Sequence, residues 1–264
     1  MNANDSRLLT FYEKSGAERV RLVRREGQLE LVRTKELLER FILTARARII
    51  DIGGGTGVYS SWLASLGHRV HLVDIVPGHV EDASRDKTFT AVVGDARALP
   101  VSDDSYDVAL LLGPLYHLPE LEDRLQAIRE ARRVVRDGGM IVAGFICRAA
   151  AALDGYIKGW VDNPDAFELV REQLHCGVAR SSRGGFSAVS YFHWPSEIRV
   201  ELASCGFKTA RIFGVEGPGW VASDFDDRWN TPEGRRIVLE SARTCEEQPE
   251  YQVLSAHLLA FCAR

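Results

Sequence analysis

The chain has 264 residues, 45% hydrophobic and 27% charged, which suits one sizeable soluble domain with a buried core. Its 33 lysines and arginines against 37 acidic residues leave a formal charge of −4, a poor match for a protein that grips a phosphate backbone. Five scattered cysteines (Cys147, Cys176, Cys205, Cys245, Cys262), none in a CxxC pair, point to free thiols in a reducing cytosol rather than to disulfides or a zinc site. The opening MNANDSRLLT lacks a signal peptide's apolar run, and no stretch approaches the roughly 20 apolar residues of a membrane span. The expected location is therefore cytoplasmic, with neither nucleic acid nor membrane as partner.

Along residues 1–44, Leu22, Leu29, Val32, Leu37, Leu38 and Phe41 recur at helical spacing and predict one or two helices. Residues 48–52 (RIIDI) form a short β-branched run ending in a glycine cluster, a buried strand. Val58 to Leu66 reads as a helix closed by Gly67, and 69–74 (RVHLVD) as a second strand. A short helix opened by Pro77 spans 77–86, followed by strands at 89–93 and 106–112. The helical pattern at 119–136 ends at Asp137-Gly138-Gly139, before a fifth strand at 140–146. This alternation predicts right-handed βαβ crossovers and a parallel sheet covered on both faces. Beyond it the chain is less regular. Helices are expected near 163–175, from Pro195 to Cys205 and over about 232–246, with strands at 207–215 and 256–263. Segments 148–190 and 216–250 interrupt the plan, and both would emerge at the carboxyl edge of the sheet, where open α/β sheets bind ligands.

Asp51-Ile-Gly53-Gly54-Gly55-Thr56-Gly57 stands at the end of the first strand and opens a helix. Glycines there allow a sharp turn and close approach of bare backbone to a ligand, and the free N–H groups of the helix start favour an anion such as a carboxylate. The dinucleotide fingerprint GxGxxG would require glycine at position 58, which is Val58. Asp74 ends the second strand, where a carboxylate can accept both hydroxyls of a ribose. Asp95, in Val93-Gly94-Asp95-Ala96, is placed to accept from an adenine amino group, or simply to form a turn.

These segments, IIDIGGGTGVYSSWLASLGHRVHLVD, VVGDARALPVSDDSYDVALLLGPLYHL and ARRVVRDGGMIVAGF, resemble the class I S-adenosylmethionine-dependent methyltransferases, nearest to their small-molecule, quinone-biosynthesis-type branch. The resemblance spans roughly residues 45–147 and fades after 148. It implies a Rossmann-like α/β fold: seven strands, mostly parallel, helices on both faces, and helical insertions capping the substrate. Gly53, Gly55 and Gly57 would face the methionine part of the cofactor, Asp74 its ribose, Asp95 and Ala96 its adenine, and Gly113 to His117 its reactive end. The segment Phe11-Tyr12-Glu13, with Glu18 and Arg21, resembles an N-terminal lid, in which Tyr12 would cover the cofactor and Arg21 meet its carboxylate. Residues 1–44 would be that lid and 45–264 the methyltransferase domain, closed by an antiparallel pair of strands at 207–215 and 256–263.

The sulfonium methyl is already electrophilic, so such a protein mainly aligns a small-molecule acceptor in line with the S–CH₃ bond. A general base is needed only where the acceptor starts protonated. His117 is the candidate, against a purely structural reading in which it bonds a backbone carbonyl; Tyr116 is equally ambiguous. Tyr116, His193, Trp194, Glu216 and Trp220 are candidate walls of the substrate pocket, or else packing between insertion and core. The run Asp224 to Asp227 reads as a solvated loop, so no metal is expected. The competing functions are an NAD-dependent oxidoreductase, disfavoured by Val58, and a binding module without catalysis, disfavoured by the intact Asp51, loop glycines and Asp74.

Overall fold

The computed structural model describes residues 3–15, 25–42, 45–180 and 189–264. Two N-terminal helices, α1 (Ala3–Ser15) and α2 (Arg25–Phe41), precede the sheet. Next come β1 (Arg48–Ile52), α3 (Val58–Ser65), β2 (Arg69–Asp74), α4 (Pro77–Ala83), β3 (Thr90–Val93) and β4 (Tyr106–Leu111). A 3-10 turn, Pro114–His117, leads to α5 (Leu121–Val134) and β5 (Val135–Ile146). The first insertion holds α6 (Ala150–Lys158), α7 (Pro164–Cys176) and a two-stranded ribbon, β6 (Val178–Ala179) with β7 (Ser190–Tyr191). Then α8 (Pro195–Ser204) and β8 (Ala210–Gly214) lead to the second insertion, with α9 (Phe225–Trp229), α10 (Pro232–Cys245) and α11 (Pro249–Gln252), before the closing β9 (His257–Ala263).

The sheet has seven strands in the order β3-β2-β1-β4-β5-β9-β8. The five strands β3 to β5 run parallel, while β9 is antiparallel to both β5 and β8. Alternate side chains of the central strands go to opposite faces, as a strand's period of two requires. Ile50, Ala109 and Leu111 join the cluster beneath α5 and α8, whereas Ile49, Val108 and Leu110 join the one that includes Leu37 and Leu38 of α2 and Leu63 of α3. Both faces are covered, which is why these strands read as continuous apolar runs. The winding reverses between β1 and β4. Their carboxyl ends therefore diverge and open a crevice at the switch point.

The seven-stranded, mostly parallel plan is as expected from sequence, including the antiparallel closing pair, but three local expectations are corrected. First, β5 does not begin after the glycines; it runs through Asp137-Gly138-Gly139, with a register shift between the Tyr106↔Val135 and Val108↔Met140 pairs. Gly139 accommodates this because a Cβ there would lie 2.6 Å from the Asp107 carbonyl oxygen. Second, the helix expected over 77–86 stops at Ala83. Third, α6 and the β6–β7 ribbon form within a segment for which only one helix was expected.

Arg33 ties the N-terminal region to this frame. Its side chain is fully buried; the guanidinium donates to the Val215 carbonyl (3.2 Å) and to the Glu246 carboxylate, which also takes Arg40. A fully desolvated charge is stable only while paired, and removing one partner of such a pair typically costs about 3–5 kcal/mol. Arg33→Met is thus expected to lose about 3–5 kcal/mol in urea unfolding. A loss below about 1 kcal/mol would show that α2 is held by apolar packing alone.

Candidate active site

The crevice at the carboxyl ends of β1, β2 and β4 is a cleft of about 970 Å³ measured out to its mouth. The glycine loop forms its floor. Gly53, Gly55 and Gly57 have φ of +69°, +58° and +87°, a left-handed backbone that only glycine adopts readily. Space is equally restrictive, because a Cβ at Gly53 would lie 2.5 Å from Pro114 Cγ and one at Gly57 2.6 Å from Phe89 Cζ. Gly53, Gly54 and Gly55 line the cleft. Gly57 does not; it caps α3 and packs against Phe89, so its contribution to the site is the turn itself.

Asp74 is buried, and its carboxylate organises the loop. Oδ2 accepts from Gly55 N–H at 2.8 Å and Oδ1 from Val76 N–H at 2.8 Å, with His79 Nδ1 3.4 Å from Oδ1. An ionised carboxylate has about four acceptor positions, so room is left for a diol. Asp51 lies beneath the same loop. Burial lifts its carboxyl to about 6, against a 2.7 Å bond from the Ser60 hydroxyl, and the nearby Asp74 charge adds to the rise.

Asp95 and Ala96 line the cleft as expected, but Asp95 is heavily engaged. Its two oxygens take Arg97 Nε and Nη2, and Oδ1 also takes the Arg97 backbone N–H. Burial pushes the Asp95 carboxyl up, and the Arg97 bonds outweigh it, holding it below the usual carboxylate range. Any contact to an adenine amino group would compete with that pair.

Gly113 lines the opposite wall, approaching the loop so closely that a Cβ there would lie 3.1 Å from the Gly53 carbonyl oxygen. The 3-10 turn that follows brings Tyr116 and His117 into the cleft. Helix α1 crosses the mouth. Asp5, Leu8 and Tyr12, on one helical face, all line it. Asp5 pairs with Arg97 at 2.8 Å, Asn4 donates to the His117 carbonyl at 3.2 Å, and the Tyr12 hydroxyl sits 3.0 Å from His117 Nε2. Arg21 and Glu18 lie outside the described residues.

A second cavity, of about 950 Å³ to its opening, lies between the two insertions. Trp160, Leu169, Val170, Phe192 and Trp220 contribute to its apolar wall, and Asp154, Gln173, Arg180 and His257 are its polar and charged members. Tyr116 of the first cleft packs in one cluster with Ile146, Ala150 and Phe192 of the second, so the two are neighbours.

Of the five expected pocket residues, Tyr116 lines the cleft and Trp220 the second cavity; His193, Trp194 and Glu216 line neither. His193 is fully buried against Phe145, its Nε2 3.4 Å from Glu201, and desolvation lowers its pKa. Its backbone bonds Ile146 and Arg148, making it a staple between β5 and the first insertion. Trp194 precedes α8, its N–H donating to Glu197 at 2.8 Å. Glu216 is buried and grips His257: Oε1 lies 2.6 Å from the imidazole Nδ1, and Oε2 accepts the His257 backbone N–H at 2.9 Å. Sequence reading missed Asp51, Tyr59, His79 and Arg97 as lining residues. Asp5 and Leu8 were missed as well, only Tyr12 of that helical face having been expected, and nothing in the sequence announced His257. Asp224, in the acidic run, pairs with Arg228 at 2.8 Å, and among the described residues no three His, Cys, Asp or Glu side chains converge in a way that would hold a metal.

Residues 50–143 match the family model described as a methyltransferase domain. Over this stretch the chain is similar to methyltransferase domains. It is 29% identical over 138 residues to the methyltransferase GfsG of Streptomyces halstedii, covering 47% of this chain and 49% of that protein. It is 28% identical over 173 residues to a malonyl-[acyl-carrier protein] O-methyltransferase of Geobacter sulfurreducens, covering 63% and 58% respectively. The chain thus spans about half of the length of these relatives. In fold it is similar to a S-adenosylmethionine-dependent methyltransferase from Thermotoga maritima described as a possible histamine N-methyltransferase, with TM-score 0.59, 17% identity and 96% and 98% coverage.

The cofactor of this family is S-adenosylmethionine, and the cleft suits it. The bare glycine backbone, the spare acceptor positions on Asp74 and a buried acid, Asp51, that gains by meeting a cation are the features such a molecule calls for. Asp51 holds a proton up to about pH 6, so below that pH it offers no charge to a cationic ligand. Affinity for S-adenosylmethionine is expected to rise through pH 6 by up to about tenfold per unit, levelling off above, and Asp51→Asn is expected to flatten the profile. Equal slopes in wild type and variant, measured by calorimetry, would show that Asp51 does not meet the ligand's charge.

Proposed function

We propose that the chain transfers the methyl group of S-adenosylmethionine to a small-molecule acceptor by in-line displacement, with the cofactor in the cleft at the switch point and the insertions around the acceptor. The observation that carries this reading is Asp74, whose carboxylate fixes the glycine loop through Gly55 while keeping acceptor capacity toward the cleft. When bound, the cofactor supplies the electrophilic methyl group, and the protein supplies alignment and exclusion of water. Gly53, Gly55 and Gly113 present backbone to it, Asp74 takes the ribose, and Ala96 borders the adenine. Within residues 1–44, α1 serves as the lid, with Tyr12 latched onto His117, while α2 is packed into the core. A base role for His117 requires Tyr12 to release Nε2, so positioning of the lid is the role its geometry favours.

The net charge of −4 supports a small molecule over nucleic acid as substrate. Among the described residues no helix is long and apolar enough to cross a membrane, and the free cysteines suit a cytoplasmic setting. The NAD reading is weakened by Val58, a β-branched residue at the first position of α3 and on the cleft wall, where the dinucleotide fingerprint has glycine. Asp74→Ala is expected to weaken S-adenosylhomocysteine binding by roughly 1–3 kcal/mol, as for loss of a charged hydrogen-bond partner. Unchanged affinity would remove Asp74 from the ribose site.

A further inference from the structure

We propose that the apolar cavity between the two insertions binds the methyl acceptor, a neutral, ring-bearing molecule with one acidic hydroxyl, and that His257, oriented by Glu216, takes the hydroxyl proton. This rests on the methyl-transfer reading above.

The walls set the acceptor's chemistry. Trp160, Phe192 and Trp220 offer aromatic faces, and Leu169 and Val170 aliphatic ones. The two charged side chains on the lining are already partnered: Asp154 by Lys158 at 2.7 Å and by Trp160 Nε1 at 3.2 Å, and Arg180 by Glu172 at 3.8 Å. Among the described residues each charge on this lining faces a counter-charge, which favours a neutral ring over an ionic acceptor. His257 is placed for chemistry. It lines this cavity and also a small neighbouring one, which it shares with Tyr59 and Leu112. Tyr59 and Leu112 both line the cofactor cleft, and Leu112 directly precedes Gly113. The imidazole therefore stands between the apolar cavity and the wall of the cleft.

Its orientation is set by Glu216. A buried carboxylate 2.6 Å from Nδ1 fixes the proton on that nitrogen and directs basicity to Nε2, and the same carboxylate stabilises the imidazolium once formed. Glu30 Oε2 of α2, 3.9 Å from Nδ1, adds to that field. In the step itself, the acceptor oxygen forms a bond to the methyl carbon as the carbon–sulfur bond breaks, its electron pair staying on sulfur. The hydroxyl proton passes to His257 Nε2. Charge balances: one cation, the sulfonium, is consumed and one, the imidazolium, is formed.

The test uses the full chain, methyl-labelled S-adenosylmethionine and 2-naphthol as acceptor probe, with S-adenosylhomocysteine affinity measured on every sample. Wild type is expected to form labelled 2-methoxynaphthalene. His257→Gln is expected to lower kcat by about 10²–10⁴-fold, the range for losing a general base, with KM for 2-naphthol within about threefold. Glu216→Gln, a positioning variant, is expected to lower kcat about tenfold at unchanged KM. Leu169→Trp, at a half-exposed point of the wall, is expected to raise KM for 2-naphthol at least about tenfold while leaving S-adenosylhomocysteine affinity unchanged. Wild-type kcat in His257→Gln would overturn the base assignment, and an unchanged KM in Leu169→Trp the cavity assignment. A wild-type protein that binds S-adenosylhomocysteine but does not methylate 2-naphthol would overturn the acceptor class. Failure to bind S-adenosylhomocysteine at all would instead count against the underlying function.

Discussion

A left-handed backbone at three positions within five residues does not hold its shape unaided, because glycine is also the residue with most conformational freedom to lose. What holds it here is the Asp74 carboxylate. Placed at the end of β2 by its parallel register with β1, it accepts the Gly55 and Val76 N–H groups together and so joins the loop, the strand and the entry to α4. The remaining parts of the cleft are fitted to that fixed loop. Pro114 fills the space over Gly53, Gly113 closes on its carbonyl, and the 3-10 turn then projects Tyr116 and His117.

The molecule divides into a half that builds this cleft and a half that carries the two insertions. The first five strands supply a cleft rich in polar groups, among them Asp51, Asp74 and Asp95. The two insertions enclose a more apolar space of similar size, and β9, inside the sheet between β5 and β8, begins at its edge with His257. Helix α1 is fastened across the cofactor side by Asn4, Asp5 and Tyr12. These polar contacts are joined by the buried Leu8 and by edge-on packing of Tyr12 against His79 and His117.

Much of this was legible in the sequence, for steric reasons. RIIDI before a glycine cluster is a buried strand feeding a tight turn, and an acid 17 positions past Gly57 falls at the end of the next strand because the α3 connection is short. Features set by long-range pairing were not legible. Glu216 meets His257 only because β8 and β9 align antiparallel across about 40 intervening residues, with Gly214 opposite Leu258. His193 and Trp194 looked like pocket walls because aromatic clusters in variable segments often are, but the β5 extension buries the former and the start of α8 absorbs the latter. At Gly138-Gly139 the local rule for ending a helix was sound, yet β5 pairs with β4 already at Val135 and resumes at Met140, the glycines lying in the register shift between.

The central claim is that the cleft at the switch point is built for S-adenosylmethionine, and calorimetric titration of the full chain with S-adenosylmethionine, S-adenosylhomocysteine and NAD tests it most directly. The account predicts micromolar binding of the first two at one site per chain and none of NAD. Binding of NAD alone would contradict it, for it would mean that the glycine loop accepts a pyrophosphate despite Val58 and that the chain carries out a different chemistry.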